Sequence, residues 1–199
     1  LLKKSGLEVC LKAMIVKANL GEVRAIRNFC EMNTKDRTRL DPLLHLRYDR
    51  DPVRNKEILS QRLSPGEIIK FEREDPLRSK ALQSSCERIK ATTDTCPSDG
   101  RLFRCGISTT SFTVGYNGIL RPCSSLHHPK CIYDLKNGNV AEAWNAFMPR
   151  IKKATSNRAS FLRSCSRCPL FNICLWCPAH AYLETGELDR PIPYFCDVA

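Results

Sequence analysis

A dense run of cysteines close to the end of the chain limits what this sequence can fold into more than any other feature. Cys165-x2-Cys168-x5-Cys174-x2-Cys177 is followed, eighteen residues later, by Cys196. Upstream, Cys105 is separated from Gly118 by twelve residues, and four more lead to Cys123. The remaining members of the 12 cysteines, Cys10, Cys30, Cys86, Cys96 and Cys131, stand singly. A C-x-x-C turn brings two sulfurs together with little chain. A hairpin with cysteines at its open ends does the same for residues distant in sequence. Iron–sulfur clusters ask for this, usually four thiolates per cluster carried on loops. Zinc ribbons also pair C-x-x-C turns, but separate them by about 15–20 residues. Only five residues lie between Cys168 and Cys174, short for one tetrahedral site and suited to two sites sharing a loop. A secreted disulfide scaffold would be shorter and would lack long helical segments. Buried free thiols account well for Cys10, Cys30 and Cys86 but not for the terminal five.

The chain before the cysteines reads as alternating strand and helix. Leu7 to Val16 has strand character, Asn19 to Met32 reads as a helix with Leu20, Val23, Ile26 and Phe29 on one face, and Leu40 to Tyr48 reads as a second strand despite Pro42. Asn33 suits the left-handed close of the helix. This is the rhythm of a βαβ unit. Arg50 to Gln61 is polar and reads as a loop. Ser64-Pro65-Gly66-Glu67 is a capping box with Pro at the first helical position, and Pro76 should end or kink the helix it opens. Thr92 to Arg101 reads as a boundary loop. Beyond it, Tyr116-Asn117-Gly118 turns a hairpin, with Gly118 supplying a positive backbone angle. Asn139 to Lys153 is a helix that Pro149 should kink or end, with Trp144 as a packing residue. The dense cysteines carry little regular structure. The expected domains are 1–80, a connecting helix and loop 81–104, and 105–199.

Net charge is +11, from 32 Lys and Arg against 21 Asp and Glu. That balance suits a nucleic-acid or acidic-peptide partner, but no compact basic block stands out, so nucleic acid is not the expected partner. Thiolates bound to clusters would also offset part of the excess. No apolar run is long enough to cross a bilayer and no signal peptide is present, so a cytoplasmic protein without membrane contact is expected. His127, His128 and His180 read as exposed loop histidines. The chain starts at Leu1, already in regular structure, and is expected to lack its N-terminal part.

The two cysteine patterns together closely resemble the SPASM domain, the auxiliary-cluster domain of radical S-adenosylmethionine peptide-modifying enzymes. That signature runs Cys, spacer, Gly, four residues, Cys, then C-x2-C-x5-C-x3-C, then a final Cys. Cys105, Gly118, Cys123, Cys165, Cys168, Cys174, Cys177 and Cys196 match it, with two residues instead of three between Cys174 and Cys177. Trp176-Cys177-Pro178-Ala179 and Tyr194-Phe195-Cys196 are also similar to members of the family. Residues 1–80 resemble more loosely the last strands and helices of the family's barrel, through the Lys17-Ala18-Asn19 turn and the Arg62-Leu63-Ser64 helix start.

The resemblance implies an α/β fold: the C-terminal portion of a partial (β/α) barrel, then a small loop-rich domain with a β-hairpin and helices. It implies an oxidoreductase that modifies a peptide or protein, taking electrons from a donor such as a ferredoxin or flavodoxin. It implies two auxiliary 4Fe–4S clusters here, with S-adenosylmethionine and a third cluster in the full-length enzyme. Cleavage of S-adenosylmethionine would yield the radical that abstracts a substrate hydrogen atom. The C-x3-C-x2-C motif of that catalytic cluster is absent from the chain, so the segment alone is expected to be inactive and its catalytic residues are not assigned. By the family pattern, Cys165, Cys168, Cys174 and Cys196 would bind the second auxiliary cluster. Cys105, Cys123 and Cys177 would bind the first, leaving an open iron or recruiting Cys96 or Cys131. Trp176, Phe171 and Phe195 would keep water from the clusters. Sulfatase-maturing members carry an Asp where Ser124 stands, which argues against that activity. The competing reading is a zinc-binding module for nucleic acid or protein.

Overall fold

The computed structural model describes residues 3–34, 38–91 and 99–199. Helices and short strands are mixed throughout, and the chain divides into two compact units. The first comprises Leu1–Leu46 with Asp51–Ser79, the second Arg47–Arg50 with Lys80–Ala199.

In the first unit, strand β1 (Leu11–Met14) and strand β2 (Thr38–Asp41) pair in parallel, Leu11 opposite Thr38 and Met14 opposite Asp41. Parallel strands need a crossover. Here it is a 3-10 turn (Lys17–Glu22) leading into helix α1 (Val23–Asn33). Asn19 clamps the turn: its side chain accepts from the Val16 amide at 2.8 Å and donates to the Met14 carbonyl at 3.0 Å. The βαβ rhythm is therefore present, with three differences in detail. Cys30, not Phe29, is the buried residue of α1, and Phe29 is 59% exposed, because the α-helical turn begins only at Val23 and rotates the stripe. Asn33 remains helical, and the chain leaves the helix through extended Thr34. The second strand stops at Asp41, since Pro42 has no N–H to offer the ladder.

Residues 52–61 are a helix and not the loop that polar composition suggests. Helix α2 (Pro52–Gln61) starts at Asp51, whose carboxylate accepts from the amides of Val53 and Arg54 at 2.9 and 3.1 Å. None of its residues is buried, so no apolar period marks it. The Ser64 capping box opens helix α3 (Pro65–Glu74) as expected, with Glu67 returning to the Ser64 amide at 2.7 Å. Pro76 ends α3 and itself begins helix α4 (Pro76–Ala91). Leu63, Ile68 and Phe71 join Ile15, Leu40 and Leu46 in the buried interior of this unit.

The second unit is built on a three-stranded antiparallel sheet in the order β3 (Thr113–Val114), β4 (Ile119–Arg121), β5 (Tyr133–Asp134). Gly118 takes φ 80° in the hairpin turn, a conformation that costs glycine little. The third strand carries no sequence signal of its own. Leu120 and Leu126 enter a core shared with Phe147, Met148, Ile151, Phe161, Trp176 and Phe195. Asn139 caps the next helix, its side chain accepting from the Glu142 amide at 2.9 Å. Pro149 does not interrupt it. Between α5 (Val140–Glu142) and α6 (Met148–Lys152), Ala143–Phe147 widens into a π turn, and the Met148 amide reaches the Ala143 carbonyl. The wider turn removes the clash that proline makes with a carbonyl four residues back. The cysteine-rich end holds more regular structure than expected: α7 (Ala159–Arg163), α8 (Pro178–Thr185) and α9 (Pro193–Val198). Each is short and begins near a proline or a turn, so apolar periodicity has no room to develop. No helix among the described residues is long and apolar enough to cross a membrane.

Candidate metal centre

Four of the seven pattern cysteines are gathered in one place. Cys165 opens a 3-10 turn (Cys165–Arg167), closed by the Cys168 amide bonding to the Cys165 carbonyl at 3.3 Å. The chain then doubles back through the Cys174 amide on the Leu170 carbonyl at 2.7 Å. Cys196 arrives from α9. Burial pushes the Cys165 thiol up to about 11, and Cys196, Cys174 and Cys168 push it further in the same direction. Burial also raises Cys174, with Cys196 and Cys168 adding to it. Cys196 is raised by burial and then by Cys168. All six pairs among Cys165, Cys168, Cys174 and Cys196 thus lie close enough for one thiolate to oppose the ionisation of another.

Such a group resists becoming four thiolates on its own, and a cation among the sulfurs reverses that by favouring the deprotonated forms. Among the described residues no three or more His, Cys, Asp and Glu side chains converge as the ligands of one metal ion. The donors here are four cysteine sulfurs, a soft set that suits zinc or an iron–sulfur cluster.

The surroundings of the four sulfurs are built by residues close to them in sequence. The Trp176 amide donates to the Cys174 sulfur at 3.4 Å, and the Ser164 hydroxyl to the Cys165 sulfur at 3.8 Å. The Trp176 indole N–H is held by the Arg190 carbonyl at 2.8 Å, and its ring packs between Phe161 and Phe171 at 5.2 and 5.7 Å. Phe195 is buried. Arg104, unmarked by any sequence signal, ties the loop down. Its guanidinium lies 4.6 Å over Phe171, donates to the Ser166 carbonyl at 3.2 Å and faces Asp99 at 3.6 Å.

The other pattern cysteines have different surroundings. Cys177 caps α8, its sulfur accepting from the His180 amide at 3.4 Å. Burial raises its pKa, and the backbone amides of His180 and Ala179 oppose that. Cys105 is exposed on the loop before the hairpin, and Cys123 is half-buried just after β4. Cys131 is buried in the core and its thiol is pushed up to about 11 by desolvation, the behaviour of a packing residue. Cys96 lies outside the described residues. Cys30 is buried and Cys86 half-buried, whereas Cys10 is exposed and does not serve as a core thiol. No disulfide joins any described cysteine.

The three histidines are half-buried, not exposed. His127 stacks on Tyr48 at 4.7 Å, His128 meets Tyr182 edge-on at 4.8 Å, and His180 tilts against Phe195 at 5.8 Å. Burial lowers His127 and His128, and the nearby positive charges of Arg121, Lys130 and Arg50 reinforce it. Aromatic neighbours brought in by folding account for this, and nothing local in the sequence announces them.

Comparison with protein-family models, with curated proteins and with solved structures yields no match for this chain.

Proposed function

We propose that this chain is the C-terminal segment of a radical S-adenosylmethionine enzyme of the SPASM type, a peptide- or protein-modifying maturase that carries auxiliary iron–sulfur clusters. The observation that carries the reading is the mutual proximity of Cys165, Cys168, Cys174 and Cys196, with Cys177 capping α8. Those four are the cysteines that the family pattern assigns to the second auxiliary cluster. A bound iron–sulfur cluster supplies one-electron transfer. The chain's own residues would hold it, donate hydrogen bonds to its thiolates from the Trp176 amide and the Ser164 hydroxyl, and exclude water with Trp176, Phe161 and Phe171. Hydrogen bonds to sulfur and limited solvent access are what tune the potential of such a centre. Cys105, Cys123 and Cys177 would serve a first auxiliary cluster, residues 1–80 would belong to the barrel, and the site of action would be intracellular.

Anaerobic reconstitution with iron and sulfide tests the reading. The expected product is brown, bleaches in air and contains iron and acid-labile sulfide in equal amounts. A colourless protein with stoichiometric zinc would instead establish the zinc module.

A further inference from the structure

One side chain reaches the dense cysteine loop from 62 residues upstream of its contact there. Arg104 donates from its guanidinium to the Ser166 carbonyl at 3.2 Å, and the same group lies 4.6 Å over the Phe171 ring. Ser166 stands inside the turn between Cys165 and Cys168 and is 1% exposed. Phe171 stands between Cys168 and Cys174, where its amide bonds to the Cys168 carbonyl at 3.1 Å. Arg104 therefore touches both halves of the loop that carries Cys165, Cys168 and Cys174.

The origin of that side chain is fixed without help from the loop. Leu102 and Phe103 are buried, and the Leu102 amide bonds to the Ala154 carbonyl at 3.0 Å. Arg101 pairs with Thr155 in an isolated bridge. The Arg104 side chain is itself 12% exposed. The loop, by contrast, is closed by single turns: Cys168 to Cys165 at 3.3 Å and Cys174 to Leu170 at 2.7 Å. Turns of that kind stay shut only as well as their packing holds them.

Charge is part of the contact. A guanidinium does not lose its proton in a protein, so a cation stands next to the turn of Cys165 and Cys168. Asp99 faces it at 3.6 Å and offsets part of that charge, but Asp99 is shared with Arg101 at 3.2 Å. A redox centre that gains an electron gains negative charge, and a nearby cation favours that form.

We infer that Arg104 is the positioning residue of the four-cysteine group, holding the Cys165–Cys168 turn and the Phe171 segment together before a metal arrives. Arginine suits the task because its planar group can bond a carbonyl at its edge while its face lies on a ring. The cation beside the cysteines then makes a bound redox centre easier to reduce. The positioning concerns the metal-free protein; the effect on potential rests on the proposed function.

Hydrogen exchange of the full, metal-free chain tests the positioning. The amides of Cys168, Phe171 and Cys174 are bonded within the loop, and Arg104→Gln is expected to quicken their exchange about tenfold. The amides of Leu102 and Gly115, bonded to Ala154 and Ile119, should keep their rates. Arg104→Lys keeps the charge without the planar group, so it too should quicken the loop. After anaerobic reconstitution, Arg104→Gln is expected to move the potential about 59 mV more negative, a tenfold change for one electron. Arg104→Lys should leave the potential close to that of the parent, which separates charge from geometry. Parent-like exchange of the loop amides in Arg104→Gln would overturn the inference. If Leu102 and Gly115 quicken as well, Arg104→Lys decides: quickening confined to the loop supports the inference, and parent-like exchange overturns it. Iron-loaded protein whose potential ignores Arg104→Gln overturns it alone. Protein that takes up no iron, yet whose loop amides depend on Arg104, supports it and overturns the cluster reading alone.

Discussion

The Cys174 thiol donates to the Phe195 carbonyl across 3.6 Å, tying the dense cysteine loop to the residue immediately before Cys196. One bond thus ties the segment carrying Cys196 into the group of Cys165, Cys168 and Cys174, although Phe195 lies 21 residues beyond Cys174. If that group holds one cluster by itself, the other three pattern cysteines are dispensable for it. The triple variant Cys105→Ala, Cys123→Ala, Cys177→Ala is expected to keep about four irons per chain after anaerobic reconstitution. Adding Cys174→Ala should remove them. Iron and sulfide analysis reads both outcomes, and a triple variant without iron would show that the two sets are not independent.

Alkaline pH should weaken the metal-free protein. Cys131 and Cys165 have pKa values raised from 9.0 to about 11, chiefly by burial. A raised thiol pKa means that the folded state holds a proton the unfolded state loses first. The stabilisation is complete below pH 9.0 and is lost as pH rises towards about 11. Two pKa units at one group correspond to on the order of 3 kcal/mol. Urea midpoints measured across that window should fall, and Cys131→Ala should flatten the fall. A midpoint unchanged by pH would contradict the burial of both thiols.

Phe161 is fully buried and its ring lies 5.2 Å from that of Trp176. Phe161→Ala is expected to cost about 3–5 kcal/mol in urea unfolding. Because Trp176 also donates its amide to Cys174, the variant should lose reconstituted iron faster in air than the parent. Equal bleaching rates would separate the aromatic packing from the metal centre.

Asp51→Ala tests the unforeseen helix. The carboxylate accepts from two amides at the start of α2, and replacing such a cap by alanine costs about 1 kcal/mol. Hydrogen exchange should quicken in the first turn of α2 and leave α3 unchanged, since α3 has its own cap at Ser64. Uniform exchange across both helices would mean that α2 depends on packing and not on its cap.

Wherever a few adjacent residues carry the instruction, the sequence alone was sufficient. Ser64 to Glu67 sets a helix start, Asn117-Gly118 sets a hairpin, and the alternation around Asn19 sets a strand-helix-strand unit. Each depends on backbone conformations or hydrogen bonds that span about one turn. Asp51-Pro52 was legible in the same way but was masked by polar composition, because α2 buries no residue. The cysteine spacing marked which residues could serve metal chemistry. It could not by itself divide them, since spacing does not say how far apart sulfurs stand. Tertiary structure decided that Cys177 caps α8 and that Cys196 lies near Cys165. It also decided the π turn that accommodates Pro149 and the half-burial of the histidines. Each arises where elements distant in sequence pack together, and burial and electrostatic coupling exist only once those elements have met.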